Sequence, residues 1–465
     1  MEQPGVSFDD LVLSLQRAID RIIRRLRRGA APERTQKPLL IVQIDGLSRF
    51  VLARALDSGQ MPFLARLLER HGYRQSAMSV GLPTSTPAFQ MAMMYGIRPD
   101  IPGFHYYDRA RRGDIHFPRL GHAAWVEARQ ASGRTSILKS GSTYGAVFAG
   151  GADNSFFSFA RLKRAPARGL VSALSAFVVL GWVIVKSLAR TVVEIVRAIL
   201  RFIADPLGQR RGWRWLAMQI GMSVWVRGFF TYSVVRDLYA GTPAVYVNYL
   251  DYDVAAHAFG PESRRAIRTL RRVDRAIHQI WRVMRRVPEH QYDLYVLADH
   301  GQAASRPYRE LTAGRRLDIL DALAPLDADT VNQWVPGLAE ELSRSVGVGF
   351  VLARSAEGPV CFRAGKRYQL SESDPGPFGG RPDAAAVVDG ITDLMSMPSA
   401  GDLVIYGIDA PQGHVSFIPE QGAHAGPSPE EMPTFILDPA TVTLPPRLSH
   451  PVQLYDHFIR YRTAS

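Results

Sequence analysis

The stretch Tyr246–Pro261, YVNYLDYDVAAHAFGP, decides how the chain is read. Val245–Leu250 is mostly apolar and runs into two acids, Asp251 and Asp253. His257 follows four residues after Asp253, and Gly260-Pro261 opens a new helix. A carboxylate and an imidazole just past the carboxyl end of a strand make half of a metal site. In open α/β sheets that edge is where ligands bind. An Asp-x-x-x-His spacing alone is weak, and a lone match is more often loop decoration. Its weight comes from other strand-like runs that end in the same kind of residue.

Pro38–Ile44 (PLLIVQI) is nearly continuous in apolar residues, as expected of a strand buried on both faces, and stops at Asp45-Gly46. Tyr292–Ala298 (YDLYVLA) repeats the pattern and stops at Asp299-His300-Gly301. Gly422–Gly426 (GAHAG) is a small-residue loop ahead of a short strand, Pro433–Leu437. Helices are expected over Met61–His71, Glu262–Arg286, Ala384–Ser396 and most of Leu317–Leu342. Gly347–Tyr368 reads as strands around turns. Leu82–Gly96 (LPTSTPAFQMAMMYG) begins as a turn and continues as a helix, so Thr84, Ser85 and Thr86 stand where helix N–H groups favour phosphate oxygens. Simple helix capping is the plainer role for such hydroxyls. Ile97–Phe159 is expected to cover the site rather than to join the sheet.

The 465 residues carry a net charge of +13, which calls for an anionic partner: a membrane face, nucleic acid or a phosphorylated substrate. The single cysteine, Cys361, excludes an internal disulfide and a cysteine-rich zinc site. Ser7–Arg28 reads as an amphipathic helix with five arginines on one face, either packed on the domain or lying on anionic lipid. It has no signal-peptide pattern. Between Arg161 and Arg236 stand thirteen basic residues and two acidic ones. This segment also holds Gly169–Val185, 17 residues without a charge, and a second apolar stretch, Trp213–Val235. Arg161–Arg168 flank one end and Arg210, Arg211 and Arg214 sit at the far turn, whereas a spanning hairpin is basic on one side only. Helices in the membrane interface fit better, with a buried insert or a dimer interface as the other reading.

Collected, the chemistry-bearing residues are Asp45, Thr86, Asp253, His257, Asp299, His300 and His424. Carboxylates with imidazoles suit zinc, or manganese as second choice. Two such ions can clamp the attacking and leaving oxygens of a displacement at phosphorus. Asp251 competes with Asp253 and His414 with His424.

The order of IVQIDG (Ile41–Gly46), PTSTPAFQMAMMYG (Pro83–Gly96), DYDVAAHAFGP (Asp251–Pro261), ADHG (Ala298–Gly301) and GAHAG resembles the alkaline phosphatase superfamily. The nearest branch is that of type I phosphodiesterases and nucleotide pyrophosphatases. The resemblance covers roughly residues 38–110 and 243–440. It implies an α/β fold with a mixed, mostly parallel sheet sandwiched by helices. It implies one metal held by Asp253, His257 and His424, and another by Asp45, Asp299 and His300 with Thr86 bridging toward it. Thr86 would attack phosphorus, and water would release the phospho-threonine. The family's nucleotide pyrophosphatases carry an Asn after the nucleophile helix; here Gly103–Asp108 has none, and Tyr107 or His105 would substitute.

The resulting expectation is a phosphodiesterase with two divalent ions and a phosphate-ester substrate, lipid-linked or nucleotide-like. It would be cytoplasmic and peripheral to an anionic membrane surface, with no nucleic-acid scaffold. A phosphomonoesterase, or a non-catalytic anion-binding protein on a retired hydrolase fold, are the alternatives. Expected units are a basic helix and linker (1–36), two parts of a catalytic core (37–160 and 241–465) and a basic apolar insert (161–240).

Overall fold

The computed structural model describes residues 37–119, 121–156, 181, 184–185, 187–196, 199–200, 217, 220–311 and 327–462. The expected N-terminal helix, and much of the expected insert, lie outside the described residues.

Seven strands form the main sheet: β1 (Leu39–Ile44), β2 (Tyr73–Ser79), β3 (Ser142–Tyr144), β4 (Asn154–Phe156), β5 (Ala244–Tyr249), β6 (Asp293–Leu297) and β7 (Pro433–Pro439). Their order is β2-β7-β6-β1-β5-β3-β4. β1 pairs in parallel with both β5 and β6, and β3 in parallel with β4 and β5. β7 alone in this sheet runs against its neighbours β2 and β6. The continuous apolar run of β1 has its reason in two faces that are both covered. Leu40, Val42 and Ile44 pack into one core, while Leu39 and Ile41 pack into the other.

The first core is roofed by α1 (Arg49–Asp57), α2 (Pro62–Arg70), α5 (Arg227–Ala240) and α7 (Arg264–Met284). The second lies under α3 (Thr86–Tyr95), α4 (His122–Gln130) and α9 (Val452–Phe458). The sheet is therefore mixed, mostly parallel and sandwiched by helices, as expected. α7 starts at Arg264 with Ser263 accepting from the Ala266 N–H, and buries Ala266, Leu270, Val273, Ile277 and Ile280 at helical steps. Its Asp274 accepts from the N–H groups of Phe63 and Leu64, capping α2 across the core.

One expectation changes and two are refined. Residues 142–144 and 154–156 join the sheet rather than cover it; the strands are too short, and too rich in Ser, Thr and Asn, to show a hydrophobic period. Residues 251–259 form a helix, α6, directly after β5, so the chain turns helical ahead of Gly260 as well as after it. The described part of 317–342, from 327 on, is mostly helical as expected, but in two helices, Ala328–Trp334 and Leu338–Arg344, divided at Val335-Pro336-Gly337. In addition α5, counted within the insert on sequence, packs Phe230, Val234, Val235 and Leu238 into the first core.

A second, antiparallel sheet of Phe350–Ala353, Val360–Arg363, Lys366–Gln369 and Leu403–Tyr406 packs on α8 (Ala384–Ser396). It carries Cys361, buried, with its thiol pushed up to about 12 by burial and so unreactive. Leu82 and Met432 enter this small core, which joins it to the two loops that matter most below.

Because β1, β2, β5 and β6 are parallel, their carboxyl ends share one edge. Because β7 is antiparallel, the segment leading into it arrives at the same edge. This topology alone brings residues from 45, 86, 253, 299 and 424 together.

Candidate active site

Asp45 follows β1 and is buried. Asn248 of β5 donates to its Oδ2 at 2.6 Å. Asp299 and His300 follow β6 and are fully buried. The Gly46 N–H donates to Asp299 Oδ1 at 3.3 Å, while Asp299 Oδ2 has no hydrogen-bond partner among the described residues. His300 Nε2 lies 3.5 Å from that oxygen and 3.6 Å from Asp45 Oδ1.

The three hydroxyls at the start of α3 take different parts. Ser85 occupies the N-cap position, yet its Oγ finds no partner. Thr84 Oγ1 donates to Glu431 Oε2 at 2.9 Å and accepts from the Ala425 N–H. Thr86 Oγ1 lies 3.3 Å from Asp45 Oδ1 and 3.3 Å from His300 Nε2. Simple capping thus accounts for none of them.

Asp253 and His257 sit one helical turn apart on α6, with His257 Nε2 3.4 Å from Asp253 Oδ2. His424 stacks on His300 with ring centroids 3.9 Å apart, and lies 5.0 Å from the His257 ring. The ligand atoms of Asp253, His257 and His424 fall within 4.8 Å of one another, and so do those of Asp45, Asp253 and His300. Asp253 therefore stands between the two sets. All seven residues collected from the sequence meet here.

The three imidazoles share one orientation. Nδ1 of His257 meets Gly422 O at 2.8 Å, Nδ1 of His300 meets Gly301 O at 2.9 Å, and Nδ1 of His424 meets Thr84 O at 2.7 Å. A carbonyl only accepts, so each Nδ1 carries a proton and each ring turns Nε2 toward the centre. Glu420 adds a carboxylate 3.1 Å from His257 Nδ1.

The electrostatics ask for positive charge. Burial, then the neighbouring Asp299 and Asp253, hold the Asp45 carboxyl well above its ordinary range. Burial and Asp253 push Asp299 up to about 7. Burial alone would raise Asp253 and lower His257, but each holds the other charged. Burial, His300 and His257 bring His424 down to about 3. Two buried carboxylates, a half-buried third, three imidazoles with Nε2 turned to the centre and an orphaned carboxylate oxygen fit divalent cations. Gly46 shows how tight the centre is: at φ +71°, a Cβ there would stand 2.6 Å from Asp253 Oδ1.

The rivals are accounted for. Asp251 is buried and ion-paired to Arg227 of α5. His414 accepts from the Asp409 N–H and lies 4.0 Å from Glu430. His105 and Tyr107 lie on a two-stranded ribbon, His105–Asp108 against Gly113–His116, where His105 meets Asp114 and His116. Those contacts do not bring His105 to the seven.

Sequence reasoning missed four supporting residues. Asn248 is a polar residue inside an apolar strand, which was the available signal. Gln302 donates to the carboxylate of Asp253. Glu431 is buried and also accepts from the Gly426 N–H at 2.7 Å, and its backbone carbonyl accepts from Gly301 N at 2.8 Å. It ties the Thr84 turn, the His424 loop and the segment after His300 together. Its signal was an acid two residues before a buried strand. Arg227, an arginine breaking an apolar stretch, holds the first turn of α6 through Asp251.

A family model described as type I phosphodiesterase / nucleotide pyrophosphatase matches residues 39–339. The chain belongs to this family. It is a phosphoric ester hydrolase. Similar solved structures are those of phosphonoacetate hydrolase from Sinorhizobium meliloti 1021. One is in complex with phosphonoformate (15% identity, TM-score 0.48) and one in complex with phosphonoacetate (14%, TM-score 0.49). Each comparison covers 92% of this chain and 96% of the other. No curated protein matches the chain.

Proposed function

We propose that this family member cleaves phosphodiesters through Thr86, with one divalent cation held by Asp253, His257 and His424 and another by Asp45, Asp299 and His300. The observation that carries this reading is the common orientation of the three histidines. Each commits Nδ1 to a backbone carbonyl and keeps Nε2 for a centre rich in carboxylates. Bound there, divalent cations, zinc first and manganese second, supply the charge that offsets phosphoryl oxygens and favours an ionised hydroxyl.

The protein's own residues supply position. Thr86 presents Oγ1 from the first turn of α3, with Asp45 Oδ1 as a nearby proton acceptor. The amino end of α3 favours a phosphoryl group beside it. Attack forms the Oγ1–phosphorus bond as the bond to the leaving alcohol breaks. Water then cleaves the phospho-threonine and restores the hydroxyl. Asn248 and the Gly46 N–H hold Asp45 and Asp299 in place throughout.

The substrate class in this reading is a lipid-linked or nucleotide-like diester, met at an anionic membrane surface beside the basic segment Arg161–Arg236. A phosphomonoester is the second candidate. Acid quenching during turnover, followed by peptide mass spectrometry, tests the nucleophile. Phosphate is expected on the peptide that contains Thr86. Phosphate on another residue, or turnover unchanged in Thr86→Ala, would remove Thr86 from the mechanism.

A further inference from the structure

In a soluble protein a surface helix turns its apolar stripe inward. The described helical residues between 184 and 200 do the opposite. Val185, Leu188, Val192, Val196 and Ile199 recur at three- and four-residue steps and are all exposed, Val192 by 59%. Three polar residues of the same helix, Ser187, Thr191 and Glu194, face the protein. Ser187 is only 4% exposed. Trp225 Nε1 donates to Thr191 Oγ1 at 3.1 Å, and Arg272 of α7 pairs with Glu194 at 2.7 Å. The helix is thus anchored to the catalytic core by its polar side and offers its apolar side outward.

We propose that this outward face lies in the surface of an anionic lipid bilayer, and that the enzyme rests on the membrane through it. The inference rests on the membrane reading above and names the surface that makes the contact. Two observations select lipid over a protein partner. The sequence that contains the helix, Arg161–Arg236, holds thirteen basic residues against two acidic ones; with Arg227 and Arg236 set aside, since they pair with Asp251 and Asp237, the excess is still the complement of an anionic headgroup layer. Among the described residues no helix is long and apolar enough to cross a membrane, which fits a helix lying in the plane of the interface. Apolar insertion and headgroup attraction act together, so salt weakens binding without abolishing it.

The test is sedimentation of the full-length protein with vesicles of phosphatidylcholine alone or mixed with phosphatidylglycerol. Soluble-ester hydrolysis and solution mass are measured beside it. Binding is expected to the mixed vesicles and to fall about tenfold in Val192→Glu/Val196→Glu. The variant should keep its hydrolysis of a soluble ester, which also reports that it is folded. Val192→Leu/Val196→Leu should bind as the native protein does. Equal vesicle binding by native and Glu variants would overturn the proposal. So would a native dimer that the Glu variant splits without vesicle binding by either, which would give the face to a second copy. Sedimentation reads no turnover, so a failure of this inference is distinct from a failure of the catalytic reading.

Discussion

His424 donates its Nδ1 proton to the carbonyl of Thr84 at 2.7 Å. A loop from the last tenth of the chain is thereby tied to the turn two residues ahead of Thr86. The same turn is held from its side chain, since Thr84 Oγ1 donates to Glu431 and accepts from Ala425. Hydroxyl and histidine are thus positioned by one small network, and the network is buried.

Removing the hydroxyl of Thr86 removes the group proposed to bond phosphorus and little else. Thr86→Ala is expected to lower kcat by on the order of 10³-fold or more, with metal content and melting temperature near those of the native protein. Thr86→Ser should retain measurable turnover. Turnover of Thr86→Ala within a few fold of native would sink the assignment.

Among the described residues Glu431 bonds to none of the seven directly and acts through Thr84, Gly426 and Gly301. Glu431→Ala takes the acceptor from the Gly426 N–H and leaves the Thr84 hydroxyl only the Gly426 carbonyl, a loss of about 1–3 kcal/mol in stability. A positioning role also requires kcat and metal affinity to fall with KM little changed. Glu431→Gln, which keeps an acceptor, should rescue most of both. If all variants melt lower but turn over normally, Glu431 holds the fold and not the site.

Burial pushes the Glu431 carboxyl up to about 8 from an ordinary 4.5. The folded protein then holds this proton more tightly than the unfolded chain does. Its stabilising contribution is full below pH 4.5 and is lost as pH rises through 8. The native protein should therefore lose stability relative to Glu431→Gln across that window, by at most about 1.4 kcal/mol per pH unit. Denaturant melts at pH 5 and pH 8 measure it; parallel pH profiles would show that the carboxyl titrates normally.

Gly46→Ala places a methyl against Asp253 Oδ1 at a backbone φ of +71°. The backbone term alone costs roughly 1–2 kcal/mol. The collision falls on the carboxylate between the two ligand sets, so metal content should drop together with stability. Full metal loading in the variant would show that Asp253 is free to move.

The parts of this molecule visible in its sequence are those with long-range uniformity. β1, β5 and β6 are buried on both faces, so each reads as an apolar run, and the acid after each run marks the sheet edge. α7 and α8 show in their periodicity. What stays hidden depends on partners distant in the chain. β3 and β4 are strands only because β5 offers a free edge to pair with. Nothing local in Leu82–Gly96 separates Thr86 from Ser85 and Thr84; Asp45 and Glu431, brought in by the sheet, do so. Glu431 itself is unreadable without the fold, because an acid before a strand is ordinarily at the surface. The outward apolar face of residues 184–200 is also invisible in the period, which gives the stripe but not the side it turns to.

The most direct single measurement is divalent metal content of the purified protein, taken together with hydrolysis of a chromogenic diester and monoester before and after chelation. About two zinc or manganese ions per chain are expected, with hydrolysis lost on chelation, restored by metal, and faster on the diester. Undiminished hydrolysis by metal-stripped protein would contradict the assignment of Asp45, Asp253, His257, Asp299, His300 and His424 as the ligands of a catalytic metal centre.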